Sequence, residues 1–472
     1  MQTKRDQLHA YLFVVGRVKA AVLRANPDGP SIPFRRSTSS TLVGIVVTLV
    51  VVGVCVVIGF LFPGRSTSWQ DGRSVIVAKE TGARFVYVGG LLHPVLNFAS
   101  ARLVLGANAG TVTVSAASLD GTPRGAPIGI PGAPDALPAA AGLLGEPVMA
   151  CVQPPPPSAA PGSPPRLVVV GGLDVPVRPL DAAVLVQAPG EGVYLAWQGQ
   201  RLRVPDPAVP LALGITAEAR PVPLRWLNTL LPRADLVPPE VPARGGPSAA
   251  SSAQASLRTG QVLAVESMTG DPRYLLVLPE GLAPIDQLTA ALLLGDPRSA
   301  EAYGGAVTVR EIPGGVVAGA PQTTFEVPES WPDTVPPPAR IDADSALCTV
   351  HRADAARDEP PALLTVPATD LARAVAVPRD ADRDVTAIRP GAALLARSTS
   401  VPGVEGGALY LVTDAGVRHA LPSPETARSL GYPPEAAVPV PAELLQGIPE
   451  GPALDPAAAL TPRPSAATAS GP

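Results

Sequence analysis

Histidine, cysteine, lysine and clustered acidic residues are the side chains with which this chain could carry out chemistry. Its four histidines, His9, His93, His351 and His419, are scattered, and no H-E-x-x-H pattern brings two imidazoles to one zinc ion. No G-x-S-x-G turn presents a nucleophilic serine. The run DADRD (380–384) alternates like a calcium loop but lacks the glycine and the distal glutamate, so we interpret it as a solvated loop. We therefore predict no catalytic centre, no metal and no cofactor.

The positions of the lysines show whether the sequence contains a nucleotide-binding loop. A Walker-type loop ends in Gly-Lys-Ser/Thr, because the lysine neutralises the terminal phosphates. The only lysines are Lys4, Lys19 and Lys79, and Lys79 precedes Glu80 in a strand-like segment. The formal net charge of −4 also argues against nucleic-acid binding, which needs a basic face. We predict that the protein is not an enzyme.

A run of 21 uncharged residues occupies 42–62, LVGIVVTLVVVGVCVVIGFLF. At 1.5 Å per residue it would span the roughly 30 Å hydrocarbon layer as a helix. A cleaved signal peptide is the alternative. It is disfavoured because the apolar run is too long, 41 residues precede it, and no small-residue cleavage site follows. We predict a transmembrane helix at 42–62.

Basic residues set the predicted orientation. Residues 1–41 hold seven Lys or Arg against Asp6 and Asp28, whereas basic residues thin out after the span. The positive-inside rule then places the N-terminus in the cytoplasm and residues 63–472 outside the inner membrane. Within residues 1–41, an apolar stripe at helical spacing could lie on the membrane or dock a partner, and we favour a partner. The stripe contains Leu8, Tyr11, Leu12, Val15, Val18 and Val22.

Three cysteines are present, and Cys55 falls inside the predicted span. The other two, Cys151 and Cys348, lie in the predicted exported region without a metal-ligand pattern around them. In an oxidising compartment two cysteines usually pair, which predicts a Cys151–Cys348 disulfide. Two buried free thiols are the alternative.

One short pattern occurs four times, as strand, turn, strand, helix cap, short helix and Leu-Gly. The copies are FVYVGGLLHPVLNFASARLVLG (85–106), VYLAWQGQRLRVPDPAVPLALG (193–214), YLLVLPEGLAPIDQLTAALLLG (274–295) and YLVTDAGVRHALPSPETARSLG (410–431). Asn97, Asp206, Asp286 and Ser423 precede the final glycine by eight or nine residues, where a helix cap belongs. Because the copies are unevenly spaced, they do not form a simple solenoid.

The predicted fold class is α+β, with one transmembrane helix followed by four strand-turn-strand-helix modules around a central β domain. The predicted segments are a cytoplasmic segment (1–41), the span (42–62) and modules at 63–138, 191–242, 272–300 and 403–455. The central β domain is assigned 139–190, 243–271, which also includes a linker, and 301–402. Residues 456–472 are rich in Ala, Pro and Ser, and we predict a disordered tail there.

Several long stretches carry a resemblance to a known family. They include SIPFRRSTSSTLVGIVV (31–47), WQDGRSVIVAKETGARFVYVGGLLHPVLNFASARLVLG (69–106), GTPRGAPIGIPGAPDALP (121–138), WLNTLLP (226–232), the GLAPI that begins at Gly281, and LGYPPEAAVPVPAELLQGIPEGPALD (430–455). Together they resemble EccB, the single-span membrane component of the type VII (ESX) secretion system of actinobacteria. Cys151 and Cys348 match the paired cysteines of that family.

The resemblance implies function by assembly. It implies an oligomeric inner-membrane complex with EccC, the motor ATPase, with EccD and EccE, and with other EccB copies. In this complex the exported modules would scaffold or gate the extracytoplasmic side of the export channel. Some family members carry an ATPase label, for which this sequence offers no Walker motif. The alternatives are an extracytoplasmic cell-wall-binding module and, less favoured, an ATP hydrolase.

Overall fold

A computed structural model describes the chain at residues 3–24, 35–61, 67–145, 148–155, 160, 162–252, 255–265, 272–351, 360–375, 384–399 and 407–463. The chain forms two compact units. One comprises residues 1–68 and 114–121, and the other comprises residues 69–113 and 122–472.

The helices of the described residues are mostly short, as the high proline content requires. They are α1 (Lys4–Arg24), α2 (Arg35–Leu61), α3 (Phe98–Leu105), α4 (Ala116–Leu119), α5 (Ala208–Ala212), α6 (Leu224–Leu227), α7 (Gln287–Gly295), α8 (Ala300–Tyr303), α9 (Gly314–Gly319), α10 (Ala368–Val375), α11 (Pro424–Leu430), α12 (Ala442–Gly447) and α13 (Pro456–Leu460). Single 3₁₀ turns occur at Ser68–Asp71, Ala140–Gly142, Pro297–Ser299 and Pro434–Ala436.

The strands are likewise short. The first twelve are β1 (Ser74–Ala78), β2 (Arg84–Val88), β3 (Leu91–Pro94), β4 (Gly110–Val114), β5 (Val148–Gln153), β6 (Arg166–Gly171), β7 (Arg178–Pro179), β8 (Val184–Gln187), β9 (Val193–Trp197), β10 (Gln200–Arg203), β11 (Arg220–Pro221) and β12 (Leu231–Pro232). The others are β13 (Val262–Val265), β14 (Arg273–Leu278), β15 (Gly281–Ile285), β16 (Arg310–Glu311), β17 (Ser345–His351), β18 (Ala362–Pro367), β19 (Val385–Ile388), β20 (Ala393–Thr399), β21 (Leu409–Thr413), β22 (Arg418–Leu421) and β23 (Val438–Pro441).

Helix α2 contains the apolar run. Its segment Ser40–Val57 has a mean hydropathy of 2.7 and is long and apolar enough to cross a membrane. Thr48 Oγ1 donates a hydrogen bond to the Gly44 carbonyl at 2.9 Å, so this hydroxyl is satisfied within the helix. The helix begins before the predicted span of 42–62, and residue 62 lies outside the described residues.

Four small sheets share one strand order, and we call them sheets 1 to 4 in chain order. They are β4-β1-β2-β3, β11-β8-β9-β10-β12, β16-β13-β14-β15 and β23-β20-β21-β22. In each, three consecutive strands form an antiparallel meander, a helix follows, and a return strand then lies beside the first strand. The return strand is parallel to the first strand in sheets 2, 3 and 4. Helix caps form largely as predicted: Asn97, Asp286 and Ser423 each accept a hydrogen bond from the backbone N–H three residues on, at 3.0, 2.6 and 3.3 Å.

In each small sheet, a further segment of chain pairs in parallel with the third strand of the meander. In sheet 2 it is β12, beside β10, and in the other sheets it is an isolated bridge, such as Leu92 with Arg124 or Arg418 with Glu450. In sheets 1 and 4 a histidine of the third strand holds this segment. The Nδ1 atoms of His93 and His419 lie 2.8 and 3.0 Å from the carbonyl oxygens of residues 126 and 452, 33 residues on in both cases.

The central sheet has the order β19-β6-β5-β17-β18-β7. Side chains alternate between its faces, as in any strand. Val148, Ala150 and Val152 of β5 face a cluster that contains Trp226 of α6 and Leu444 of α12. The Trp226 indole N–H donates to the Ala150 carbonyl at 3.0 Å. The opposite face packs against α10 and holds Cys151 and Cys348, which face each other across β5 and β17 and form a disulfide.

The two halves of the chain contribute three strands each to the central sheet, and the strand order is the same when the halves are interchanged. The first half runs sheet 1, β5, β6, β7, sheet 2, and the second runs sheet 3, β17, β18, β19, sheet 4. The halves exchange elements: β7 pairs with β18, and β19 pairs with β6. Sheet 1 packs its helix α3 against α11 of sheet 4, and sheet 2 packs α5 against α7 of sheet 3.

Sheets 2 and 4 also dock their hairpin turns on the central sheet region. A methyl group on Gly199 would lie 2.0 Å from the Pro361 carbonyl oxygen, and one on Gly416 would lie 2.9 Å from that of Thr386. Both glycines have positive φ, 71° and 72°. Glycine therefore permits both the tight turn and the close approach.

The structure differs from the predicted boundaries of the central β domain. Residues 257–268 and 305–312 contribute β13 and β16 to sheet 3, and β8 and β20 begin sheets 2 and 4. A two-stranded hairpin is too small to bury one side of a helix, so each recruits the strand before it and the strand after it. The predicted linker at 243–256 is also ordered where it is described: Ser248 Oγ donates to the Leu278 carbonyl at 2.6 Å.

The predicted disorder from residue 456 is wrong for the first eight residues. Asp455 caps α13 by accepting from the Ala457 N–H at 3.0 Å, and Ala459 is buried against α3 and α11. The Arg463 N–H donates to the Pro127 carbonyl at 2.8 Å, which fixes this segment beside sheet 1. Residues 464–472 lie outside the described part of the chain.

The glycines beside the two histidine rings give a packing prediction. A methyl group on Gly125 would lie 2.2 Å from His93 Cε1, and one on Gly451 would lie 2.3 Å from His419 Cε1. We expect Gly125→Ala and Gly451→Ala each to lower the free energy of unfolding by about 1–3 kcal/mol through overpacking. Gly305→Ala is the control, because nothing lies within 4 Å of its added methyl group. Equal unfolding midpoints in denaturant for all three variants would contradict the packing account.

The disulfide gives a second prediction. It closes a loop with a sequence separation of 197 residues, for which the chain-entropy estimate is ~5 kcal/mol as an upper figure. Because each change breaks the same bond, Cys151→Ser, Cys348→Ser and the double variant should lose similar stability in denaturant unfolding. Cys55→Ser is the control. A melting temperature that does not respond to reductant would contradict this prediction.

Candidate functional site

In the part of the chain that the structure describes, the residues that could do chemistry lie apart from one another. Among the described residues, no group of three or more His, Cys, Asp and Glu side chains could hold a metal ion. Lys79 lies exposed in the turn between β1 and β2, not in a phosphate-binding loop. Of the acidic run 380–384 only Asp384 is described. It pairs with Arg225 at 2.7 Å and accepts from the Leu167 N–H at 3.2 Å, so it joins α6 to β6.

His351 of the central sheet and His419 of sheet 4 each have a polar contact within the fold. Burial lowers the pKa of His351 to about 4, and its Nε2 lies 3.4 Å from Thr349 Oγ1. Burial also lowers the pKa of His419, and its contact with the Pro452 carbonyl partly offsets that shift. Both rings are therefore neutral at pH 7, and each is held by a fixed polar partner.

A buried ion pair explains how the predicted linker at 243–256 is anchored. Arg244 Nη2 lies 3.2 Å from Asp296 Oδ2, and the two side chains are 8% and 3% exposed. Arg244 also donates to Ser299 Oγ at 2.6 Å, and Asp296 accepts from the Arg298 N–H at 2.9 Å. Since the charges are compensated on several sides, this cluster fixes the loop that follows α7.

Two surface clefts contain charged residues without a catalytic arrangement. In the first, Arg220 lies among prolines and donates to the carbonyl oxygens of Asp342 and Ser345 at 3.2 and 2.8 Å. Burial lowers the pKa of Arg220. The second is an open acidic groove near α7, lined by Asp286, Phe325, Glu326, Val327, Pro328, Glu329, Trp331 and Asp333. Neither cleft combines a nucleophile with a histidine base among the residues that line it.

The predicted docking stripe lies on α1. Leu8, Leu12 and Val22 are 56%, 58% and 78% exposed, and Val15 is half-buried. Phe13, 62% exposed, lies off this stripe, so the apolar surface is wider than the sequence spacing indicates. The features found in the described part of the chain are therefore an exposed apolar surface on α1 and charged clusters that hold elements of the fold together.

Comparisons of sequence give a consistent identification. Residues 1–468 match the family described as "Type VII secretion system ESX-1, transport TM domain B", the EccB family. Among curated proteins, "ESX-2 secretion system ATPase EccB2" of Mycobacterium tuberculosis (strain ATCC 25618 / H37Rv) is 31% identical over 486 residues, covering 98% of this chain and 95% of that protein. "ESX-1 secretion system ATPase EccB1" of the same strain is 28% identical over 469 residues, covering 97% and 94%.

Solved structures agree in fold. The EccB3 dimer from the ESX-3 core complex superposes with a TM-score of 0.64 at 26% identity, covering 82% of this chain and 99% of that chain. A chain of the periplasmic assembly from the ESX-5 inner membrane complex gives 0.62 at 25% identity, covering 85% and 98%. A family match over nearly the full length, a relative above 30% identity and a shared fold lead to one conclusion: this chain belongs to the EccB family of the type VII secretion system.

Proposed function

We propose that this chain is a structural core component of a type VII (ESX) secretion membrane complex, where it scaffolds or gates the extracytoplasmic side of the export channel. The observation that carries the proposal is the family match across residues 1–468. The structure supports it in two ways. It has a helix that could span a membrane, and its charged and polar clusters brace the fold rather than form a reaction centre.

The proposed orientation has the N-terminus in the cytoplasm and residues 63–472 in the extracytoplasmic space. The excess of Lys and Arg in residues 1–41 supports this orientation through the positive-inside rule. The Cys151–Cys348 disulfide also supports it, because structural disulfides persist in oxidising compartments.

We interpret sheets 1 to 4 as four copies of one repeat module. The support is their common strand order, the side-chain helix caps in sheets 1, 3 and 4, and a second short helix that follows each return strand: α4, α6, α9 and α12. The predicted first module, 63–138, already contains all of sheet 1. The other three would be wider than predicted, because β8, β13 and β20 begin before residues 191, 272 and 403.

The proposed partners are EccC, EccD, EccE and other EccB copies. The solved relatives are described as an EccB3 dimer and as parts of ESX-5 inner membrane complexes, which supports self-association and membrane assembly. We assign a partner-docking role to Leu8, Leu12, Val15 and Val22 on α1, because most of this apolar surface is exposed.

The curated relatives carry the word ATPase in their names. For this chain we propose that ATP is hydrolysed by the partner motor and not by EccB itself. The reasons are the absence of a Gly-Lys-Ser/Thr loop and the exposed turn position of Lys79, the only lysine beyond the span.

Purification of the full chain from detergent-solubilised membranes tests this function. We expect a multi-span protein and a motor ATPase to co-purify, and the chain separated from them to show no ATP turnover above a mock purification. A solitary chain that sediments with cell wall would instead favour the wall-binding alternative. Saturable ATP hydrolysis abolished by a point substitution in residues 63–472 would contradict the non-enzymatic role.

The α1 stripe gives a separate prediction. Leu12→Glu with Val15→Glu should strongly reduce co-purification of partners while leaving membrane insertion intact, because a charge on this stripe would have to be desolvated on docking. Ala10→Glu adds the same charge on the opposite side of the helix and is the control. If the double variant co-purifies with its partners at normal yield, α1 is not part of the assembly interface.

A further inference from the structure

The free edge of sheet 1 differs from the corresponding edges of the other small sheets. The return strands β11 (Arg220–Pro221) and β16 (Arg310–Glu311) are only two residues long, and β23 contains Pro439 and Pro441. Short length, charge and proline are the usual means of preventing a sheet edge from pairing with another chain. Strand β4, Gly110–Val114, has none of them: it spans five residues, GTVTV, without proline or charge.

The backbone of β4 presents hydrogen-bonding groups on its outer side. The Gly110 N–H donates to the Arg73 carbonyl at 3.2 Å, on the side of β1. Because successive residues of a strand turn their N–H and C=O groups to opposite sides, those of Thr111 and Thr113 point away from β1. The side chains of both threonines are exposed. Among the described strands and bridges, none pairs with this outer side of β4.

We propose that β4 pairs in antiparallel register with β4 of a second copy of this chain, around a twofold axis at Val112. This inference rests on the proposed function, since both copies must lie in one membrane complex. The pairing would place Thr111 opposite Thr113 of the other copy and Val112 opposite itself. The two threonine pairs exchange four N–H···O=C bonds, and the two sheets become one continuous sheet of eight strands.

The sequence of β4 favours its own copy as the partner. A twofold antiparallel pairing sets β-branched residues against β-branched residues and threonine against threonine, and both kinds of cross-strand pair are stabilising. No like charges meet, because the strand has no charged residue. Sheet 1 is also the small sheet that follows the apolar helix α2 most closely in sequence.

Cross-linking of the full-length chain in membranes tests the register. Two differently tagged copies, both with Cys55→Ser, would carry Thr111→Cys and Thr113→Cys respectively. Directly opposite residues of a hydrogen-bonded pair have Cα atoms about 5.5 Å apart, within disulfide reach. We expect the mixed disulfide to form in nearly all pairs that contain one copy of each kind after mild oxidation. A Thr111→Cys pair, separated diagonally by about 7–8 Å, should cross-link several-fold less.

A second pair of variants tests the backbone contact. Val112→Cys should cross-link to itself, and adding Thr113→Pro should abolish this because proline removes an outward N–H. Thr113→Val keeps the N–H and the branched shape, so it should retain the cross-link. Formation of the Cys151–Cys348 bond and an unchanged melting temperature would show that Thr113→Pro is folded.

The alternative outcomes are distinguishable. If the tagged copies co-purify but no β4 cross-link forms, the edge pairing is wrong and the proposed function stands. A cross-link from β4 to a different protein would equally overturn pairing with a second copy. If the tagged copies do not co-purify at all, self-association fails, and with it both this inference and that part of the proposed function.

Discussion

The antiparallel pairing of β5 with β17 is the contact on which the arrangement of the other elements depends. These strands lie at the middle of the central sheet, pair from Val148 to Val152, and carry the disulfide where Cys151 faces Cys348. Each belongs to a different half of the chain, so this one ladder joins residues about 200 positions apart. Helices α6 and α12, one from each half, pack on one face of these strands. The Trp226 indole N–H of α6 donates a hydrogen bond to the Ala150 carbonyl of β5.

The small sheets of the two halves pack against each other because each sheet alone can bury only one side of its helix. A four-stranded sheet with one short helix leaves the outer side of that helix apolar. The structure covers it with the helix of a small sheet from the other half, α3 with α11 and α5 with α7. Arg102 adds a polar contact to the first pair: its guanidinium donates to the Leu430 carbonyl at the end of α11, at 3.3 Å. Gly431 has no side chain to obstruct this approach.

Local signals predicted local structure well. The apolar helix α2, the hairpins and three of the four caps follow from short-range sequence patterns. The Cys151–Cys348 bond agrees with the pairing expected of two cysteines in an oxidising compartment. The return strands could not be predicted, because two residues such as Arg310–Glu311 carry no periodicity, and their pairing is set by a distant partner. The ordered helix α13 was missed for the same reason: its Ala-rich composition is compatible with disorder, and its stability comes from packing on α3 and α11. Likewise, the position of α6 and α12 over the central sheet depends on contacts between distant parts of the chain, so it follows from the fold and not from a local pattern.

The packing of α3 of sheet 1 against α11 of sheet 4 affects the order in which the chain can fold. Helix α3 is synthesised early, at residues 98–105, yet the elements that cover it, α11 and α13, end at residues 430 and 460. Until those residues are made, the side of α3 that packs on α11 and α13 has no native partner and is open to non-native contacts. Such long-range closure slows folding, because the entropy of a long loop is lost before the contact forms. A nascent chain halted before residue 424 would therefore hold sheet 2 and sheet 3 as a formed pair, whereas α3 of sheet 1 would still lack its cover from α11 and α13.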